Sequence, residues 1–236
     1  MTAKQKKRRK PIDEAYMIPV EPLTHNQQLF FDEWDKGKMV YAYGVAGTGK
    51  TFIALYKALK DVLNEYTPYE KIYIVRSLVA TREIGFLPGD HEDKSSLYQI
   101  PYKNMVQSMF EMPDDNAYEM LYDNLKAQET ISFWSTSFIR GTTLDNAIVI
   151  IDECQNLNFH ELDSIITRVG QDSKIVFCGD AAQTDLQKVS ERTGILDFQR
   201  ILQNMDEFSL IEFNVEDIVR SGLVKSYLIN KINLGL

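Results

Sequence analysis

Cysteine is scarce in this chain: two among 236 residues are too few for the disulfide framework of a small secreted scaffold. The three histidines, His25, His91 and His160, stand far apart with no second ligand at metal-binding spacing, so they read as surface or capping residues. No run of 18 apolar residues occurs, and no apolar core follows the basic start as it would in a secretory leader. These absences argue against a stapled secreted domain, a zinc site and a membrane span, and they predict a cytoplasmic protein. Charge is unevenly spread: residues 1–10 carry Lys4, Lys6, Lys7, Arg8, Arg9 and Lys10 and no Asp or Glu. The formal charge of −8 therefore divides into a basic arm and a body with 20 bases against 34 acids, a net of −14.

The arm has little to bury, and its charges repel one another. It runs into Pro11 and Pro19, which favour extended backbone, so residues 1–19 are expected to be disordered. Such an arm either holds a phosphate backbone by counterion release or serves as a solubilising tail. Residues 20–236 read as a single domain, since 44% hydrophobic residues overall is ordinary globular composition and no internal repeat is present.

Within that domain, apolar runs of strand length alternate with helical patterns. The candidate strands are 39–43, 71–76, 131–134, 147–151, 174–178 and 208–213. Most are continuously apolar, as strands covered on both faces are, which predicts an α/β fold around a mainly parallel sheet. After Asn158 the positions Leu162, Ile165, Ile166 and Val169 repeat at helical spacing, with Asn158 and Glu161 as a capping pair. Residues 85–101, with Gly85, Pro88, Gly89 and Pro101, read as a long loop. Beside it, Tyr98, Tyr102, Met105, Met109 and Phe110 read as core or subunit contacts, with base stacking as the alternative.

The segment Gly44-Val45-Ala46-Gly47-Thr48-Gly49-Lys50-Thr51 matches G-x-x-x-x-G-K-[ST] between a strand and a helical pattern running to Leu63. Glycines let backbone N–H groups turn toward a phosphate, and the following helix adds its positive dipole end. Lys50 would reach the β and γ oxygens, and the Thr51 hydroxyl would ligate Mg²⁺. A metal carboxylate is needed at a neighbouring strand end, and the run 148–151 ends in Asp152 and Glu153. Asp152 would hold the ion directly or through water, and Glu153 would orient and deprotonate the attacking water.

The strand 174–178 leads into Gly179-Asp180-Ala181-Ala182-Gln183. Gln183 either links the attacking water or γ-phosphate to a neighbouring element, or belongs to a plain turn shaped by Gly179 and Asp180. Upstream, Gln27 at a helix start could read adenine by giving and accepting one hydrogen bond each. The guanine-reading Asn-Lys-x-Asp is absent, for Asn230-Lys231-Ile232-Asn233 lacks the acid, so adenine is favoured.

Taken together, these blocks resemble the PhoH family of P-loop ATPases, whose core is similar to the first motor domain of superfamily 1 helicases. The resemblance covers roughly residues 20–236. It rests on the P-loop, on Leu23-Thr24-x-x-Gln27, on residues 85–90 with Lys94, on 139–144, on 152–156, on 167–170, on Gly179-Asp180-x-x-Gln183-x-Asp185-Leu186, and on 216–221. It implies a three-layer P-loop NTPase (RecA-like) domain that binds ATP and hydrolyses it with Mg²⁺. Gln27 would then lie near adenine, Gln183 would sense the γ-phosphate, and Arg220 would contact phosphate. Cys154 stands where the family usually has Ala, Ser77 where it has Pro, and Thr142 where it has a second arginine beside Arg140.

Helicases of that superfamily close the site with an arginine from a second motor domain, for which 236 residues have no room. The expectation is a homo-oligomer, a hexameric ring, with Arg140, Arg168 or Arg220 as the trans arginine. The helicase-like core and basic arm point to RNA or single-stranded DNA as partner. A competing class is an ATP-dependent oligomeric binding switch with little turnover, which would not need the second acid, Glu153. A kinase is a third, without an acceptor-binding motif to support it.

Overall fold

The structure, a computed structural model, describes residues 12, 14–76, 91–139, 141–180 and 189–234, without the side chains of 91–98, 137, 138 and 189–193. Arg140 and Gln183, and the stretch 85–90, lie outside the described residues.

Six strands form one sheet: β1 (Met39–Gly44), β2 (Lys71–Arg76), β3 (Ile131–Ser135), β4 (Ala147–Asp152), β5 (Lys174–Cys178) and β6 (Phe208–Phe213). Their spatial order is β3-β2-β4-β5-β1-β6, and every neighbouring pair is parallel. The sequence pattern follows from this placement. Central β4 and β5 are buried at every position, whereas β3 and β6, at the two edges, are only partly buried. Each fully buried Ile or Val of β4 contributes about 1.5–3 kcal/mol relative to an exposed one.

Helices cover both faces. Against one lie α1 (His25–Asp35), α2 (Lys50–Leu63), α3 (His91–Gln107) and α4 (Asp115–Ala127), whose Phe30, Trp34, Leu55, Leu59, Tyr102 and Leu121 share a core with Ile72, Ile74, Ile148 and Ile150. Against the other lie α5 (Thr136–Ile139), α6 (Phe159–Ile166) and α7 (Val189–Gln203), which pack Ile139, Leu162, Ile165 and Phe198 on Val75, Val149, Ile151 and Phe177. Three layers result. A last helix, α8 (Gly222–Asn233), buries no residue and leaves Leu223 and Tyr227 exposed. Among the described residues no helix is long and apolar enough to cross a membrane.

The caps are local and legible. Thr24 accepts from the Gln27 N–H at the start of α1, and Asn158 with Glu161 forms a reciprocal capping box on α6. One reading is corrected: residues 91–101 are not loop but the first part of α3, with Pro101 inside the helix. Proline breaks most helix interiors, which is why this stretch reads as irregular. Tyr102, Met109 and Phe110 are core residues, as expected.

At the sheet end opposite the P-loop, the Lys174 ammonium donates to the Trp34 carbonyl (3.0 Å) in the last turn of α1 and lies over the indole ring, while the Trp34 ring N–H donates to Asp61 of α2 (2.8 Å). A cation at a helix C-terminus is favourable, but burial pushes the Lys174 pKa down to about 8.

Candidate active site

Because all strands run the same way, the residues that follow β1, β4 and β5 gather at one end of the sheet, where α/β folds bind ligands. The loop between β1 and α2 leaves the sheet at Gly44, which has φ +110°. A Cβ there would lie 2.2 Å from the Phe213 carbonyl oxygen, so only glycine fits beside β6. The Val45 N–H donates to that same oxygen at 2.9 Å. The loop wraps the Lys50 ammonium, which donates to the carbonyls of Gly44 (3.0 Å) and Val45 (2.6 Å) and to Thr48 Oγ1 (3.2 Å). Burial lowers the Lys50 pKa, against the pull of Cys178, Asp180 and Glu153 nearby. This cation is already centred in the cradle where a phosphate would meet it.

A cavity of about 330 Å³ opens beside the loop, lined by residues 46–52, by Arg76, Tyr102, Asp152 and Glu153, by Asp180 and by Arg220, among others. The sequence-predicted metal pair meets across it: the Thr51 hydroxyl donates to Asp152 Oδ1 at 2.7 Å although 101 residues separate the two. A hydroxyl and one carboxylate, facing a phosphate cradle, suit Mg²⁺, which keeps water and substrate oxygens as its other ligands. The second Asp152 oxygen accepts from the buried Tyr102 hydroxyl at 2.6 Å.

Glu153 has left-handed backbone (φ 53°, ψ 41°), a conformation costly for a non-glycine residue and one that turns the side chain out of the β4 line. Its Oε2 accepts from Gln155 Nε2 at 2.6 Å, and its Oε1 lies 3.9 Å from the Arg76 guanidinium. Gln155 in turn accepts from the Asp180 N–H at 2.9 Å, joining the end of β4 to the end of β5.

Of the other expected residues, Arg220 lines the cavity, and its stem packs within contact of Gly47. Arg168 is far away: its carbonyl accepts from the Leu144 N–H before β4 begins, at the opposite end of the sheet, and its buried Nε has no hydrogen-bond partner among the described residues. Gln27 is buried beneath the loop, not among the residues lining the cavity. Three residues here were assigned no place in the site from sequence. Arg76 ends β2 in register with Asp152, but that neighbourhood depends on strand order. Tyr102 was read as a core or subunit contact beside the long loop, and Gln155 stood only within a motif.

A family model described as PhoH-like protein matches residues 19–230. A PhoH-like protein of Bacillus subtilis (strain 168) is 33% identical over 210 residues, covering 85% of this chain and 60% of that protein. A PhoH-like protein of Mycobacterium leprae (strain TN) is 32% identical over 206 residues, covering 87% and 56%. The chain thus spans a little over half the length of these relatives. Among solved structures, the large terminase from a thermophilic bacteriophage superposes with a TM-score of 0.50 at 10% identity, covering 88% of this chain and 50% of the terminase, a likeness of fold alone.

Proposed function

The chain belongs to the PhoH-like protein family, and on that premise we propose that it binds ATP and hydrolyses it with Mg²⁺. The observation that carries this reading is the 2.7 Å contact between the Thr51 hydroxyl and Asp152 at the mouth of the P-loop, with Glu153 next in the chain. Lys50 neutralises charge on the β and γ oxygens, while Thr51 and Asp152 would hold Mg²⁺, which would supply further charge neutralisation to the phosphates. Glu153 orients water for in-line attack on the γ-phosphorus and accepts its proton, while the bond from that phosphorus to the β–γ bridging oxygen breaks and ADP leaves with its electron pair, giving inorganic phosphate.

Replacing Glu153 by Gln keeps the shape and removes the base. The expected result is ATP binding with phosphate release reduced at least about 100-fold, within the range that general-base catalysis contributes. Undiminished release would defeat the assignment.

The finer reading is that hydrolysis is coupled to RNA or single-stranded DNA, in a homo-oligomeric, hexameric ring. Its support is the basic arm on an acidic body and the family's likeness to helicase cores. A trans arginine fits Arg168 better than Arg220, since Arg168 lies on the far side of its own subunit. ATPase stimulation by oligonucleotides that fades with salt would support the coupling, and no binding to any nucleic acid at low salt would refute it. Mass photometry with ATP and Mg²⁺ tests the ring: a monomer at undiminished specific activity excludes it.

A further inference from the structure

Gln27 sits in the first turn of α1 and is 3% exposed. Its side-chain oxygen accepts from the Leu23 N–H at 2.8 Å, and its Nε2 donates to the Thr48 carbonyl at 2.8 Å. That approach requires glycine at 49, where a Cβ would lie 3.1 Å from Nε2 on a backbone with φ +82°. An amide that reads a base must present both a donor and an acceptor to it, yet here one acceptor site and one N–H are taken within the chain and the side chain is buried beneath the loop, off the cavity wall.

The other side of the loop is held in the same manner. The Val219 N–H donates to the Gly47 carbonyl at 3.1 Å. A trans peptide is rigid, and its C=O and N–H point in opposite directions. Fixing the Gly47 oxygen from outside therefore aims the Thr48 N–H away from Val219, and fixing the Thr48 oxygen aims the Gly49 N–H away from Gln27. These two N–H groups are the donors a phosphate cradle needs.

The two holders are themselves joined. Asn26 Nδ2, next to Gln27, donates to Asp217 Oδ2 at 2.7 Å, and the same oxygen accepts from the Asn214 N–H at 2.8 Å, in the turn that leads to Val219. Asp217 is 3% exposed. Burial pushes its carboxyl pKa up, but hydrogen bonds from Thr24, Asn26 and the Asn214 N–H outweigh this and hold it below the usual carboxylate value.

We infer that Gln27 and Asp217 are positioning residues of the phosphate cradle, and that Gln27 acts on nucleotide affinity through the phosphates and not through the base. The inference rests on the proposed nucleotide site. It is tested by measuring the Kd of the full chain for ATP, GTP and inorganic tripolyphosphate, before and after Gln27→Ala and Gln27→Met, the second of which preserves side-chain length. Losing one buried hydrogen bond of this kind is expected to weaken all three ligands by a common factor of about ten, leaving the ATP-to-GTP ratio unchanged. Asp217→Asn is expected to show the same common factor. A fall confined to ATP, with tripolyphosphate unaffected, makes Gln27 a base reader and overturns the inference, as does unchanged affinity for all three. No binding of ATP or tripolyphosphate by the unaltered protein overturns the nucleotide site itself, and this inference with it.

Discussion

Tyr102 and Thr51 divide the Asp152 carboxylate between them: the phenol donates to Oδ2 at 2.6 Å and the threonine hydroxyl to Oδ1 at 2.7 Å. Thr51 belongs to the P-loop and Tyr102 to α3, so the phenol fixes the plane of the carboxylate from the oxygen that Thr51 does not hold. Tyr102→Phe removes the hydroxyl and keeps the ring in its tilted packing against Phe133, with centroids 5.4 Å apart. The Mg²⁺ concentration that half-saturates nucleotide binding is expected to rise about threefold to tenfold, one hydrogen bond's worth, with ATP affinity in EDTA unchanged. An unaltered Mg²⁺ titration would reduce Tyr102 to a packing residue.

Arg76 is a same-chain arginine beside the proposed catalytic base, 3.9 Å from Glu153 and on the cavity wall. With ATP present, the more concentrated charge of the γ-phosphate competes for this guanidinium. Arg76→Ala is expected to lower kcat by at least about tenfold with little change in KM, the pattern of an interaction made in the transition state. Equal affinity of variant and parent for ADP with aluminium fluoride would contradict that role.

Gly44→Ala forces a Cβ to within 2.2 Å of the Phe213 carbonyl at a backbone φ of +110°. Neither backbone can give way without breaking the β1–β6 register, in which Gly44 faces Phe213. Urea unfolding is expected to show a loss of about 2–4 kcal/mol, from strain and overpacking together.

Lys174 makes stability depend on pH. Its ordinary pKa of 10.5 falls to about 8 in the fold because burial disfavours the ammonium. Between those values the unfolded chain binds a proton that the folded chain does not, so stability rises as pH climbs through the window, by up to about 3 kcal/mol from this group. Lys50, shifted downward as well, adds the same sign. The buried thiols of Cys154, pushed up to about 12, and Cys178, also raised, oppose it as pH approaches and passes about 9, because the unfolded chain then loses protons that the folded chain keeps, and the buried Tyr41 and Tyr102 oppose it above about pH 10. The lysine contribution is therefore read as a difference: from pH 8 to 9.5 the unaltered protein should gain stability relative to Lys174→Met. Equal pH slopes for the two proteins would show that the ammonium is not desolvated.

Much of the architecture is determined locally. Continuous runs such as Ile148 to Ile151 can be satisfied only in the middle of a sheet covered on both faces, so all six strands were legible to within a residue or two. The P-loop and the capping box of α6 were equally plain, because each depends on residues a few positions apart. Helix α3 was not, since Pro101, exposed but inside the helix, contradicts local helical preference. Strand order is a long-range property, and it set Arg76 beside Glu153, while the packing of α3 brought Tyr102 against Asp152. For Gln27 the residue type was visible but its partner was not: an amide can bond a base or a peptide equally well, and only the fold brought the Thr48 carbonyl within 2.8 Å. The sequence by itself thus determined which chemical groups and which strands exist, because spacing and polarity are written along the chain. Which groups meet was decided by the packing of distant segments, because hydrogen bonds and ion pairs depend on angstroms that no linear spacing records.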